Sequence, residues 1–310
     1  MKKFLFFILI PLIFCACARK DETRRFFALD TQITVTAPKD ACEKTYELCR
    51  KYEKIFSRTD PESELYLINS GAKKTAGEDI RALLSLCEKM YNITGGAFDC
   101  TLGALSDLWN IKERTVPPTK EEIASALNKT GFDKISLSPL SLGGTQLDFG
   151  ACAKGYIADK AADALYKSGV KKAILDLGGN VYVLGTARVG VRDPQSPDKL
   201  FCRFTLKDKS AVTSGSYQRF FEYGGVRYHH ILDPKTGECA QSGGSVSSVT
   251  VISPSSAAAD CLSTAIFVTG EKGLELCRAF PDTDALIITN KRTVLTTDGF
   301  EKKYSLEILD

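Results

Sequence analysis

The hydrophobic periodicity changes character near Lys172, and that change restricts the folds open to this chain more than any other feature. Before it, apolar residues recur at helical spacing: Cys42, Tyr46, Cys49 and Phe56, with Glu53 the one polar member, then Ile80, Leu83, Leu84, Cys87, Met90 and Tyr91. The first helix is expected to end near Arg58, broken by Asp60-Pro61, and the second stops before Gly95-Gly96. Thr119-Lys120-Glu121-Glu122 forms a capping box that opens a short helix ending at Gly131. A fourth helical pattern runs from Gly150 to Ser168, closed by Gly169. Beyond Lys172 the pattern is that of strands: Ala173–Leu177, Val181–Leu184, Arg188–Val191, Phe201–Leu206, Tyr217–Tyr223, Val226–Leu232 and Val246–Ile252. One helix, Ser255 to Thr269, interrupts them. An earlier strand spans Phe26 to Ala37, and Gly143-Gly144, Gly224-Gly225 and Asp298-Gly299 are placed as hairpin turns. Helices early and strands late, joined by hairpins, predict an α+β fold with antiparallel sheet, not regular βαβ alternation. Gly143 to Lys172 is the one stretch where a domain boundary could fall.

The N-terminus reads as an export signal. Lys2 and Lys3 precede an apolar run from Phe4 to Phe14, too short for the roughly 20 residues that span a bilayer, and Cys15-Ala16-Cys17 follows. A cysteine at the exit of such a run points to a lipoprotein signal over residues 1–17. Cys17, preceded by small Ala16, is the expected lipidated residue; the alternatives are Cys15, or ordinary cleavage near Ala18. Roughly 290 residues then remain, enough for one large core or two smaller ones. Residues 18–310 are taken as one functional domain. With 41 basic and 38 acidic residues the formal charge is +3, too small and too evenly spread for a nucleic-acid partner. Nine of the eleven cysteines lie beyond the signal, an odd number without metal-ligand spacing. They read as buried small apolar residues instead of a disulfide or zinc framework.

The only two histidines, His229 and His230, adjoin in a strand that leads into the turn Pro234-Lys235-Thr236-Gly237. Histidine is the usual proton carrier near neutral pH, so a histidine-based mechanism must run through this segment. The plainer reading makes one histidine a core residue and the other solvated. Asp260 and Thr264, at i and i+4, place a carboxylate and a hydroxyl on one helix face, a partial shell for a hard cation such as Mg²⁺. Leu147-Asp148-Phe149-Gly150-Ala151-Cys152-Ala153-Lys154-Gly155 runs from a strand into a helix start, where free N–H groups favour an anion. It lacks the Ser/Thr after lysine of a Walker A loop, and no Gly-x-Gly-x-x-Gly follows a strand. A hydrolase triad of Ser214 or Ser216 with His230 and Asp233 lacks the Gly-x-Ser-x-Gly elbow.

The order of these pieces carries more than any one of them. Gly95-Gly96-Ala97-Phe98-Asp99, the Leu147 to Tyr156 segment, Leu177-Gly178-Gly179-Asn180, Thr213-Ser214-Gly215, the His230 to Gly237 segment and Ala259-Asp260-Cys261-Leu262-Ser263-Thr264-Ala265 follow one another along the chain. In that order they resemble the ApbE family of FAD:protein FMN transferases, from about Leu29 to Thr264. The resemblance implies an α+β fold of antiparallel or mixed sheets with packed helices, in that family's two-lobed, T-fold-related architecture. It also implies a Mg²⁺-dependent transfer of the FMN half of FAD onto a Thr or Ser of a target flavoprotein, with release of AMP.

By the same resemblance, Asp260 and Thr264 match metal-binding side chains and Ala151 a backbone carbonyl ligand. Leu29, Thr59, Ala97, Phe98, Asp99, Asp148, Lys154 and Leu232 match positions lining the FAD site. His230 matches the histidine proposed as base for the acceptor hydroxyl. Two positions depart from the family pattern: Leu29-Asp30-Thr31 stands where Met-Gly-Thr is usual, and Thr59 where many members have a tyrosine able to stack on isoalloxazine. The alternatives to a transferase are an FAD pyrophosphatase, releasing FMN and AMP to water, and a flavin-binding lipoprotein without catalysis. The expected partners are FAD, an acceptor subunit of a membrane redox complex, and the membrane itself through the lipid anchor. The expected place is the outer side of the cytoplasmic membrane of a bacterium.

Overall fold

The computed structural model describes residues 21–241 and 244–309. The chain opens as a hairpin of β1 (Asp21–Ala28) and β2 (Thr31–Pro38), then runs through α1 (Lys39–Phe56), α2 (Glu64–Asn69), α3 (Glu78–Thr94), α4 (Gly103–Trp109) and α5 (Lys120–Leu127). A small hairpin of β3 (Ser136–Leu137) and β4 (Leu140–Ser141) leads to α6 (Ala153–Lys167). Strands follow: β5 (Ala173–Asp176), β6 (Asn180–Asp193), β7 (Ser196–Gly215), β8 (Phe220–Tyr223), β9 (Val226–His229) and β10 (Val246–Ser253). The chain ends with α7 (Ser256–Thr269), a 3-10 stretch (Glu271–Ala279), β11 (Asp284–Thr289), β12 (Val294–Thr296), α8 (Phe300–Tyr304) and β13 (Glu307–Ile308).

One nine-stranded sheet dominates, in the order β1-β2-β5-β6-β7-β10-β11-β12 with β13 also on β7, and every pair in it is antiparallel. The expected α+β class is therefore the observed one; parallel pairing is confined to the isolated bridge Leu102↔Gln146. Thr34 of β2 pairs with Asp176 of β5, so the helix-rich and strand-rich parts of the chain share this sheet across the Gly143 to Lys172 stretch.

Central β10 and its neighbour β11 are buried almost throughout, and α7 packs against β7, β10, α3 and α6. Only Thr264, Val268 and Thr269 of the fourteen α7 residues are not buried, the pattern of a helix apolar on all sides and enclosed by the core. Its N-terminus is fixed by Asp159 of α6. That carboxylate accepts from the Ser256 and Ala257 amides at 2.7 and 3.0 Å and from Ser255 Oγ at 2.9 Å. A carboxylate at this end both satisfies orphan donors and complements the helix dipole.

Gly155 sets how closely α6 and α7 approach. A Cβ there would lie 2.3 Å from the Ser256 carbonyl oxygen and 2.8 Å from Ala257 Cα, both backbone atoms that cannot rotate away. Gly155→Ala is expected to force the helices apart and to lower Tm by about 5 °C or more, the effect of overpacking by about 2 kcal/mol. Thermal unfolding would check this, and an unchanged Tm would contradict so tight a contact.

All nine cysteines from Cys42 to Cys277 are buried and free, as expected of small apolar residues. Several local expectations are corrected. The strand predicted over Phe26 to Ala37 is a hairpin turning at Leu29-Asp30, both left-handed with φ of 53° and 61°. A turn of that kind usually carries Asn or Gly, and Leu29-Asp30 has neither to signal it. Val181–Leu184 and Arg188–Val191 are one strand, β6, whose pairing with β7 shifts register between Val183 and Thr186. Gly143-Gly144 follows the β3–β4 hairpin instead of turning it, and Asp298-Gly299 leads into α8, the last hairpin turning before Val294. Gly224-Gly225 does join β8 to β9. Lys2, Lys3, Phe4 to Phe14, Cys15 and Cys17 lie outside the described residues, among which no helix is long and apolar enough to cross a membrane.

Candidate active site

All twelve residues singled out from the sequence line one open cavity of about 1590 Å³. Its floor is built by three chain segments. The Asp148 to Lys154 segment enters α6, α7 supplies Asp260 and Thr264, and the end of β7 supplies Thr213 and Ser214. Asp260 is 4% exposed, because its helix is enclosed; Thr264, one turn on, is partly open to the cavity.

The first amides of α6 have no acceptor within the helix, and the floor takes up one of them. Gly155 N–H donates to Asp260 Oδ2 at 2.9 Å. Lys154 Nζ lies 3.9 Å from the same oxygen and 3.1 Å from the Gly150 carbonyl. Across from them, Ser214 Oγ sits 3.4 Å from Thr264 Oγ1 and 2.8 Å from Ser263 Oγ, and Ser263 donates to the Asp260 carbonyl at 2.9 Å. Among the described residues no group of three or more His, Cys, Asp or Glu side chains is placed to hold a metal. The Asp260 carboxylate and the Thr264 hydroxyl, with Ala151 on the same lining able to offer its carbonyl, suit a hard cation that fills its remaining positions with phosphate oxygens and water.

Asp148 also lines the cavity; its Oδ1 accepts from Gly150 N–H at 2.8 Å and its Oδ2 lies 3.3 Å from Arg58. Arg58 also reaches Asp107 Oδ1 at 2.9 Å and the Gly103 carbonyl at 3.0 Å. Buried Ala97, Phe98 and Asp99 stand beyond; Asp99 Oδ1 accepts from Thr101 N–H at 2.7 Å, yet burial raises its carboxyl above the usual range. Thr59 is exposed on the rim, its hydroxyl 3.4 Å from Ser57 Oγ. Leu232, 6% exposed, packs in the Trp109 cluster, and Trp109 Nε1 donates to the Gly237 carbonyl at 2.7 Å, which holds the turn after the histidines in place.

The two histidines are placed differently. Strand alternation separates the two histidines as expected. His229 is 3% exposed, set edge-on to Phe267 at 5.6 Å between ring centres, and its pKa falls to about 4 because burial disfavours the cation. His230 lines the cavity, its Nδ1 3.4 Å from the Arg219 carbonyl. The surrounding walls desolvate it and the charges of His229, Arg219 and Lys154 add to that, lowering its pKa toward 3. The ring is nevertheless exposed to the open cavity, and water there offsets part of the desolvation. At neutral pH the imidazole is uncharged.

Leu29 lines the cavity as well. Its N–H donates to Glu53 Oε1 at 2.9 Å, and neighbouring Asp30 pairs with Lys112 on one side and with Arg219 on the other. The hydrolase triad does not assemble: Ser214 is engaged with Ser263 and Thr264, and Asp233 Oδ1 accepts from Lys235 N–H at 2.8 Å. Sequence reasoning missed Arg58 and the Ser214–Ser263 pair. Arg58 adjoins Thr59, but an arginine just past a helix end carries no signal of the buried bridge it makes here.

Residues 29–287 match the model of the ApbE family. The chain is 37% identical over 290 residues to the FAD:protein FMN transferase of Treponema pallidum (strain Nichols), covering 84% of this chain and 80% of that protein. It is 33% identical over 275 residues to the FAD:protein FMN transferase of Klebsiella pneumoniae (strain 342), covering 84% and 86%. The crystal structure of the ApbE protein from Thermotoga maritima superposes with a TM-score of 0.82 at 30% identity, covering 91% of this chain and 99% of that one. The flavin transferase ApbE from Vibrio cholerae, at 23% identity, shares the fold with a TM-score of 0.80 over 91% of this chain and 99% of its own. By its sequence along most of its length, and by its fold, the chain belongs to the ApbE family.

Proposed function

We propose that this protein is a Mg²⁺-dependent FAD:protein FMN transferase that joins FMN through a phosphoester to a Thr or Ser of a target flavoprotein and releases AMP. The observation that carries the reading is the convergence of the three oxygen donors, Lys154 and His230 on one cavity, with room on both sides of the donors. A dinucleotide whose pyrophosphate sits at the centre of such a cavity would reach along it. Bound at Asp260, Thr264 and the Ala151 carbonyl, Mg²⁺ would neutralise charge on the pyrophosphate oxygens.

The chain's own residues supply the rest. Lys154 places a cation beside the leaving side, and the N–H groups at the start of α6 add positive potential there. Arg58 tethers Asp148 to the α4 end and so fixes the wall against which the substrate lies. Uncharged His230 accepts the acceptor's hydroxyl proton as its oxygen bonds to the FMN phosphorus and the P–O bond to AMP breaks.

Lys2, Lys3, the Phe4 to Phe14 run and Cys17 support export and lipid anchoring at the cytoplasmic membrane, facing outward, where an acceptor subunit of a membrane redox complex would be within reach. Exposed Thr59, with no aromatic ring to cover the flavin, favours a second outcome in which water replaces the acceptor. Incubation with FAD and Mg²⁺, with and without a Thr-bearing acceptor domain, separates the readings. AMP together with acceptor-bound flavin fluorescence supports the transferase. AMP without bound flavin would mean a pyrophosphatase, and neither product would leave only a binding protein.

A further inference from the structure

His230 can act as a base only through a ring nitrogen that carries no proton, and its surroundings decide which nitrogen that is. Nδ1 lies 3.4 Å from the Arg219 carbonyl oxygen. A carbonyl accepts and never donates, so in the uncharged imidazole Nδ1 holds the proton and Nε2 keeps the lone pair. The same oxygen accepts from the His230 amide N–H at 3.3 Å, so one carbonyl meets both the backbone and the ring of the histidine.

The Arg219 side chain ties that carbonyl in place. Arg219 and His230 stand at the open end of the β8–β9 hairpin, which is not part of the nine-stranded sheet. A two-stranded hairpin is marginal by itself, so its open end depends on ties to the rest of the protein. Arg219 Nη2 donates to the Asp30 carbonyl at 3.0 Å and lies 3.5 Å from Asp30 Oδ2. That carboxylate is also paired with Lys112, in the turn after α4. Asp30 itself belongs to the left-handed turn between β1 and β2, where Glu53 takes the amide of Leu29. Asp30, Lys112, Arg219 and His230 all line the cavity, so three distant parts of the chain are clasped together beside the base.

We propose that Asp30 and Arg219 are positioning residues for the proton acceptor: their clasp holds the Arg219 carbonyl against His230 Nδ1–H and so keeps Nε2 free for the acceptor hydroxyl. The role of His230 rests on the transferase reading; the placement of its proton does not.

Two measurements test the clasp in the untagged full-length protein. The chain has only two histidines, so its nitrogen NMR spectrum contains two imidazoles, and His229→Phe assigns them. His230 should show the Nδ1–H form at neutral pH, and Asp30→Asn and Arg219→Gln should each convert part of it to the Nε2–H form. Asparagine tolerates the left-handed φ of position 30, so Asp30→Asn removes charge without straining the turn. Arg219→Lys, which keeps a cation facing Asp30, should retain more of the Nδ1–H form than Arg219→Gln. In FMN transfer to an acceptor domain, Asp30→Asn and Arg219→Gln should each lower kcat about fivefold, the scale of an exposed ion pair, with KM for FAD within about twofold. In a His230→Ala background neither should lower it further, because a residue that acts through another loses its effect when that one is gone. An Nε2–H form in the unsubstituted protein, unaltered spectra in both variants, or a loss that persists without His230 would overturn the proposal. So would a rise in KM for FAD at unchanged kcat, which would give the clasp to the dinucleotide. Should no acceptor be labelled, the transferase reading fails while the spectrum still decides the clasp.

Discussion

Asp260→Ala is expected to reduce Mg²⁺-dependent AMP release at least about 1000-fold, the equivalent of about 4 kcal/mol of transition-state stabilisation. Asp260 is the one carboxylate in the proposed donor set. The same change also strips Gly155 N–H of its acceptor, and a buried donor left unpaired costs about 1–3 kcal/mol. Asp260→Asn separates these effects. Its amide oxygen can still accept from Gly155, so Tm should hold, while the lost charge should weaken Mg²⁺ affinity and turnover together. Titrating AMP release against Mg²⁺ for both variants is the measurement. Near-normal release with an unshifted Mg²⁺ midpoint in Asp260→Asn and Asp260→Ala would sink the metal assignment.

Why Asp260 was legible, and Arg58 was not, follows from the distance over which each residue acts. The i, i+4 relation of Asp260 and Thr264 is written into one helix, so spacing alone places both oxygens on one face. The capping box at Thr119 and Glu122 is equally local, and both of its hydrogen bonds are present. Arg58 matters through Asp148, 90 residues later in the chain, and through Asp107, 49 residues later; neither separation has a periodicity to betray it. The bond from the Gly155 amide to Asp260 is likewise invisible before α6 and α7 are brought together. Ordered motifs identified the family and its cavity residues, but they could not say which side chains lock the walls between them.

Turns show the same division. Gly224-Gly225 has a local signal and makes the predicted hairpin. Leu29-Asp30 makes a left-handed turn from residues that rarely adopt it, and tertiary ties hold it there: Glu53 takes the Leu29 amide, while Asp30 is paired with both Lys112 and Arg219. Ion pairs to Asp30 thus hold a turn whose residues lack glycine's conformational freedom.

His230→Ala should slow FMN transfer by about 100- to 10,000-fold, the loss expected when a positioned base is removed. KM for FAD should change little under the proposed function, in which the imidazole meets the acceptor hydroxyl. The lowered pKa adds a signature in pH. A base with a folded pKa below its ordinary 6.5 stays unprotonated as the solution is acidified, so the acid limb of kcat/KM should lie well below pH 6.5. His229 is the internal control, and it is predicted to fail differently. Its Nδ1 accepts from Ile231 N–H at 3.3 Å and its ring packs on Phe267, so His229→Ala should lower Tm while sparing the turnover of folded molecules. Because burial depresses the folded pKa of His229 to about 4, the unfolded chain takes up its proton first. Its stabilising contribution is complete above pH 6.5 and is lost between 6.5 and 4, by up to about 3 kcal/mol. His229→Phe should therefore flatten the decline of Tm over that range; His230→Ala removes a second imidazole of lowered pKa and should flatten it too, but only His230→Ala should also remove activity. If both histidine variants lost activity only in proportion to stability, the pair would be structural, and proton acceptance would pass to Asp148 or to solvent at the cavity floor.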